Sequence, residues 1–573
     1  VNGAFGNWGF NNNETGLPYL QASSVAGGNL GSAYASFLLG LADSASVATP
    51  KDPQFRKTSW SLFAQDTWKV TRKLTVTYGL RWGLQGAPHE IHDRFAEFSP
   101  TTPNPSVGGL LGATIYAGSG PGRCNCSFTN TYPLAIGPRL GAAWQLNDRT
   151  VLRAGWGVTY GYTAPFNYIG GIIGGSSVGY NSLSFVSPGV GTPAATFAQG
   201  LPYTQDQLYP SSLSAGIVPF TGQLNSPPYY IDPNGGRPPP VNRWNISLQH
   251  STKDLLVEAA YVGNRGAWLL ANNLIDLNGL TPQALAARNL NVANAADRTL
   301  LTSTFASGKP QAAGFQLPYS TFPQTSTLAQ ALRPFPQFGN IAVNWAPLGN
   351  SWYDALQAKV TQRLWHGLYA QYVFTWQKEL TTAEGIMVND VYNRPVQKAI
   401  SGSSIPLVSA MLFNYQVPVF ASNKYLRAFQ RDWTIGGSLR FQSGLPILSP
   451  IATNNITTVL PRQSSTFANR NPGVPLFTQD PNCHCFDPNQ TFVLNSAAWS
   501  QPAAGQFGTA APYYNRVFLS APTSTNSTAT QVKSSTGQTV SGFGYINTSV
   551  TSIQTGGAVP TVRNGQIVAR LVF

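Results

Sequence analysis

Charge is what this chain has least of. Asp, Glu, Lys and Arg make up 10 % of its 573 residues, against about 25 % in ordinary soluble domains. A water-facing surface of this extent carries more charge than that. The composition therefore disfavours a soluble protein, although the length alone would accommodate roughly three to five soluble domains. Apolar residues, at 42 %, do not replace the missing charge; Gly, Pro, Ser, Thr, Asn and Gln do. Long hydrophobic runs are also absent. The best stretch, YIGGIIGGSSVGY from Tyr168, is glycine-rich and falls short of the roughly 18 apolar residues that a membrane helix needs. There is no basic start followed by an apolar segment, so no secretion signal is visible. The chain opens directly on VNGAFGNWGF, and we expect it to begin inside a larger protein. The net charge is +14, but the 35 Lys and Arg are scattered. Nucleic-acid binding needs a basic stripe or a recognisable module, so nucleic acid is not an expected partner.

Aromatics are plentiful at 12 %, with 56 Gly and 43 Pro but only 2 Met. Turn formers and aromatics with few helix formers argue for β structure with much loop. The stretch TVTYGLRWGLQ from Thr75 places Val76, Tyr78, Leu80, Trp82 and Leu84 on one face. Thr77, Gly79, Arg81 and Gln85 take the other, because side chains alternate across a strand. The pattern recurs in TVLRAGWGVTYGY from Thr150, LYAQYVFTWQ from Leu368 and WTIGGSLRFQ from Trp433. Each run is about ten residues, the length that crosses a bilayer as a tilted strand. Aromatics sit near several run ends, where an interfacial girdle needs them. We count about thirteen convincing strands by this alternation, including GSAYASFLLGLADSASVA, SWSLFAQDTWKV, RWNISLQH and LLVEAAYVG.

The connections fall into two classes. TRK at Thr71, NDR at Asn147, STKD at Ser251 and WHG at Trp365 are very short. Those from about Gly86 to Gly137, Thr163 to Asn242, Asn272 to Asn350 and Ser443 to Val540 exceed the roughly 12–15 residues usual for loops in compact domains. Short and long alternate along the chain, so each class gathers at one end of an antiparallel sheet. Outer-membrane barrels have this asymmetry, with short periplasmic turns and long extracellular loops. The expected fold is all-β: a transmembrane antiparallel barrel forming one domain over residues 1–573, in the bacterial outer membrane. Val76, Tyr78, Leu80, Trp82 and Leu84 would face lipid. A charge at Leu80 should then impair assembly, while one at Gly79 should be tolerated electrostatically.

Several blocks in order carry a family resemblance: ASFLLGLADSASV; WSLFAQDTWKVTRKLTVTYGLRW; IGPRLGAAWQL; RWNISLQH with EAAYVGNRG; PFPQFGNIAVNWAPLGNSWYDALQAKVTQRLWHGLYAQYVFTWQKEL; DWTIGGSLRFQSGLPI; NRVFLSAPTSTN; GFGYINTSV; and the terminal RLVF. Spanning nearly the whole chain, they resemble the β-barrel portion of a TonB-dependent outer-membrane receptor of the Oar-like type. The resemblance implies a barrel of about 22 strands, an N-terminal plug, and a motif grasped by the TonB energy-coupling complex. Neither plug nor motif is recognisable, so about 13–16 of those strands are expected here, taking the alternating runs as a guide. The family has a further pair of strands after the block GQFGTAAPYY. Here Tyr514 is followed at once by Asn515, which points to an internal gap.

Candidate functional residues are few. GSSVG at Gly175–Gly179 matches GxSxG around Ser177, but a nucleophile elbow needs a preceding strand and a following helix. His89 and His92 form HEIH, not the HExxH of a zinc protease. No catalytic site and no cofactor are expected. Cys124 with Cys126, and Cys483 with Cys485, lie in expected outer loops, an oxidising location. Disulfides within or between the pairs are the favoured reading, against a four-thiolate metal site near His484 or free thiols. Arg81, Arg153, Lys359, Arg363, Arg440 and Arg570 fall on the inward face. They make a polar wall that could meet an acidic plug face or draw anionic cargo by field focusing. Phe573 ends the chain in phase with the apolar face, where barrel-assembly machinery would read a terminal aromatic. The expected function is substrate binding and energy-coupled passage across the outer membrane. The alternative is a barrel that displays loops for adhesion or ligand binding without transport. The partners are outer-membrane lipid, the TonB complex and an extracellular substrate of unread identity.

Overall fold

The computed structural model describes residues 6–16, 31–48, 54–163, 182–187, 189–204, 228–382, 389–420, 422–430, 433–444, 446–462, 465–478, 480, 483, 495–514, 532–533, 535, 539–541 and 563–571. Its dominant feature is a twelve-stranded antiparallel sheet. Eleven long strands follow one another across it in chain order: β1 (Ser59–Lys69), β2 (Leu74–Gln85), β3 (Ala135–Asn147), β4 (Thr150–Tyr160), β5 (Pro240–Ser251), β6 (Leu255–Leu269), β7 (Gly349–Trp365), β8 (Leu368–Thr381), β9 (Leu407–Gln416), β10 (Trp433–Gln442) and β11 (Arg563–Leu571). The short strand Ala399–Ile400 pairs with the end of β8. Among the described residues, β1 and β11 are the two edges.

The alternation seen in sequence becomes two faces through the register. Leu62 pairs with Trp82, Leu140 with Tyr78 and with Trp156, and Trp156 with Trp244. Directly paired residues share a face, so the apolar positions of successive strands merge into one surface. That surface is not covered: Leu62, Leu80, Leu140, Trp144, Ile246, Leu356 and Trp376 are all exposed. On this face Trp68, Trp144 and Trp433 lie towards the turn ends of their strands, and Trp60, Trp82, Trp244, Trp352 and Trp376 towards the loop ends. Its charges are also kept near strand ends. Asp66 accepts a hydrogen bond from Tyr78 at 2.9 Å near the turn end. Arg265 and Asp354 form a 2.9 Å ion pair near the loop end, where Tyr261 also donates to Asp354 at 2.7 Å.

Four of the connections at one end are tight for local reasons. The Thr71 hydroxyl accepts from the backbone N–H groups of Lys73 and Leu74, and Thr252 does the same for Leu255. Asn147 accepts from the Arg149 N–H. The Trp365–Leu368 turn uses left-handed backbone at His366 (φ 46°) and Gly367 (φ 83°). The fifth connection at this end, residues 417–432, is longer and holds a helix, Lys424–Gln430.

At the other end the described parts of the long connections are structured. The largest fully buried side chains, including Trp345, Phe98, Phe305, Phe338, Phe467 and Ile231, all lie there and none in the long strands. Phe98 on the hairpin strand Ala96–Asn104 packs edge-on against Phe335 and Phe338, joining two connections. Phe95, Phe128, Ile231 and Trp345 bring in a third. Leu280, Leu285 and Leu301 pack with Ile456, Val459 and Leu460 to bring in a fourth. Buried polar groups tie the same pieces. Asn278 donates to the carbonyls of Phe335, Phe338 and Gly339 and accepts from the Phe335 N–H. Arg333 donates to the Asn278 carbonyl at 2.6 Å. The long connections thus form a cap with its own cores.

Two expectations differ from this picture. The segment GSAYASFLLGLADSASVA is not a wall strand. It forms a helix, Ala33–Leu38, whose cap residue Ser32 accepts from the Ala35 N–H, followed by Leu41–Ala42 and Ser44–Ala48 in small separate sheets. A serine cap ahead of alanines favours helix. Among the described residues the long strands are eleven, where about 13–16 strands were expected. One expected strand is that helix, and the blocks NRVFLSAPTSTN and GFGYINTSV, like the Tyr514/Asn515 junction, fall wholly or partly outside the described residues.

Candidate functional site

The face opposite the apolar surface is polar, and its chemistry is set by which strand positions point there. Arg81 on β2 pairs with Gly137 on β3. Arg153 on β4 pairs with Ser247 on β5 and donates to the Gln249 carboxamide oxygen. Lys359 on β7 stands opposite Glu258 on β6. Arg363 lies at the turn end, where its guanidinium donates to Ser251 at 3.3 Å. Arg440 on β10 pairs with Ala410, and the register sets Arg570 opposite Thr434. Following these pairings across the sheet puts all six positions on one face. They are spread along it rather than gathered at a point.

Two further arginines share this face. Arg139 on β3 pairs with Gly79 and with Gly157, and Gly157 pairs with Arg243 on β5. Both arginines are exposed. Their signal was present in sequence. In IGPRLGAAWQL, Arg139 alternates against Leu140, Ala142 and Trp144; in RWNISLQH, Arg243 alternates against Trp244, Ile246 and Leu248.

At the loop end of this face lies a cavity of about 290 Å³, lined by Arg81, Gln85, Arg139, Thr159, Tyr160 and Tyr162 among others. Its rim is held by a polar cluster. Gln85 accepts from the Thr163 N–H at 3.0 Å and donates to the Gly161 carbonyl at 2.9 Å. Lys57, half-buried just before β1, donates to the Thr163 hydroxyl at 2.7 Å and to Gln85 at 3.3 Å. Burial lowers the Lys57 ammonium from its ordinary range to about 8, because desolvation disfavours the charged form. No periodicity marks Lys57; only the fold brings it to the rim.

Cys124 and Cys126 are disulfide-bonded to each other, and Cys483 is disulfide-bonded as well. Cys485, His484, Ser177 and Phe573 lie outside the described residues. His89 and His92 are exposed in the cap. Among the described residues no group of three or more His, Cys, Asp or Glu is arranged to hold a metal ion.

Several solved structures resemble the chain at low identity. They include the copper transporter OprC (TM-score 0.30, 9 % identity, covering 71 % of this chain and 36 % of that one). The alcaligin outer membrane receptor FauA from Bordetella pertussis is another (0.28, 10 %, 70 % and 45 %). The outer membrane transporter YddB from Escherichia coli is a third (0.30, 11 %, 72 % and 44 %). The chain spans less than half the length of each of these three. No curated protein matches it. The family described as outer membrane beta barrel domain matches residues 1–540. With its outward apolar sheet, its one-sided loops and this match over most of its length, the chain belongs to the outer membrane β-barrel domain family and is a protein of the outer membrane.

Proposed function

We propose that the chain is the barrel portion of a TonB-dependent, Oar-like receptor that binds an extracellular substrate and passes it across the outer membrane. Residues 1–573 act as one domain in this reading, with the wall in lipid and the cap outside. The observation that carries it is the cap. Long connections gathered at one end bury their own aromatic cores, giving a shaped surface above a polar wall. The six cations at Arg81, Arg153, Lys359, Arg363, Arg440 and Arg570 form a lumen wall that meets an acidic plug face or draws anionic cargo, and Phe573 is read by the assembly machinery. The chain is a carrier rather than an enzyme. The TonB complex supplies the energy through a plug region.

A second reading is a barrel that only displays its cap for adhesion or ligand capture. The hydrogen-bond network around Asn278 favours it, because a cap held this firmly needs no moving part to present a surface. Uptake assays in cells making the parent protein, with and without a working TonB complex, separate the two. Labelled iron chelates, oligosaccharides and peptides serve as probes. Accumulation that depends on TonB supports transport. Surface binding without accumulation supports display, and neither binding nor accumulation overturns both readings.

A further inference from the structure

The register brings two arginines into one row of the lumen face and a third beside them. Across the strands that row reads Gln65, Gly79, Arg139, Gly157, Arg243, Asn264, Tyr353 and Glu379. Arg139 has glycine on both flanks, and Arg243 has the same Gly157 on one. A side chain at Gly157 would meet Arg139, its Cβ lying 3.3 Å from the arginine Cγ. The glycine therefore leaves space beside the Arg139 stem. Arg139 and Arg243 are two strand spacings apart, about 10 Å. Arg81 is the diagonal neighbour of Arg139, at about 7–8 Å. Among the described residues, none of the three arginines has an ion-pair or hydrogen-bond partner on its side chain. The acidic position in the row, Glu379, lies three strands beyond Arg243. Three guanidinium groups with no carboxylate between them concentrate positive potential there. Arg81 and Arg139 also line the 290 Å³ cavity, and Lys57 stands behind its Gln85 wall.

We propose that Arg81, Arg139 and Arg243 form an anion-binding site on the lumen wall for a compact solute carrying two or more carboxylate or phosphate groups. The planar guanidinium fork matches both groups in paired hydrogen bonds. The partly open cavity of about 290 Å³ beside Arg81 and Arg139 has the size of a small solute. The site rests on the proposed barrel reading only in calling this face a lumen.

The test is calorimetric titration of the purified full chain in detergent with citrate and, separately, with pyrophosphate, at low and high salt. Saturable binding of at least one probe, weakened by salt, is expected. Arg139→Gln and Arg243→Gln should each weaken it at least about tenfold, the loss that follows from one hydrogen bond to a charged group. Arg149→Gln, in the turn at the opposite end of the wall, should leave it unchanged. Preference for citrate assigns the site to carboxylates and preference for pyrophosphate to phosphates; either supports it. No saturable binding of either probe, or equal binding by the arginine variants and the parent, overturns it. Absence of any TonB-dependent uptake, with citrate or pyrophosphate binding present, would refute the transport reading and leave this site standing.

Discussion

Leu80 and Gly79 are neighbours in sequence and stand on opposite faces of β2. Leu80 is exposed on the apolar surface. Leu80→Arg should therefore destabilise membrane-inserted protein by about 2–4 kcal/mol, the range for a cation near the bilayer midplane. The folded fraction in lipid vesicles, read by heat-modifiable gel migration, checks this. Gly79 is not the control that alternation alone promised: a Cβ there would lie 2.9 Å from the Ala64 carbonyl oxygen. Gly83 is on the same face with nothing within 4 Å of its Cβ position, so Gly83→Lys should assemble normally. Equal damage at Leu80 and Gly83 would reverse the facing assignment. In the cap, burial raises the Glu97 carboxyl to about 8. Unfolded, it ionises near 4.5; folded, it stays protonated until about 8. Between those values the unfolded state binds fewer protons, so cap stability falls as pH rises through that window and levels off above it. Glu97→Gln should flatten this slope and make the cap more stable than the parent at pH 9. Hydrogen exchange of the hairpin amides at pH 6 and pH 9 measures it, and an unchanged slope in the variant would refute the assignment.

At the scale of elements, the wall strands and the cap are held by different forces. Each wall strand carries an apolar side that meets lipid, so its tertiary stability rests on neighbour pairing and the membrane. The cap instead follows the rule of a soluble core: buried aromatics with satisfied polar groups between them. Asn278 is the point where this can be tested. Asn278→Ala leaves the carbonyls of Phe335, Phe338 and Gly339 and the N–H of Phe335 without their partner. A loss of about 2–4 kcal/mol of cap stability follows from buried groups left unsatisfied. Exchange should accelerate in the cap while the amides of β2 to β8 keep their protection. Acceleration across the wall as well would show one cooperative unit. The wall strands were legible in sequence because a period of two is local. The helix at Ala33–Leu38 was not, because its apolar run reads as a short strand until the Ser32 cap is seen.

The whole molecule reverses the usual order of burial. Its sheet carries exposed tryptophan and leucine, while its connections hold the large buried side chains. In water this arrangement would expose far more contiguous apolar surface than a soluble monomer tolerates. In a bilayer lipid covers the apolar face, and the strands between the two edges satisfy their backbone groups by pairing with neighbours. Detergent dependence follows at this scale. The purified chain should stay monodisperse in micelles and aggregate when detergent is removed, as light scattering would record. A monodisperse species in plain buffer would contradict the outward-facing surface.

The sequence by itself determined the wall. Alternation, a charge content of 10 % and the sorting of short from long connections are local or additive properties, so they survive without coordinates. That Arg81, Arg153 and Lys359 share the face opposite the apolar one was readable for the same reason. Tertiary structure decided what depends on register and on contacts between distant segments. It set Arg139 and Arg243 in one row across Gly157, brought Lys57 to Thr163, and joined four connections around buried phenylalanines and leucines. These contacts link residues tens to hundreds of positions apart, and no period along the chain encodes them.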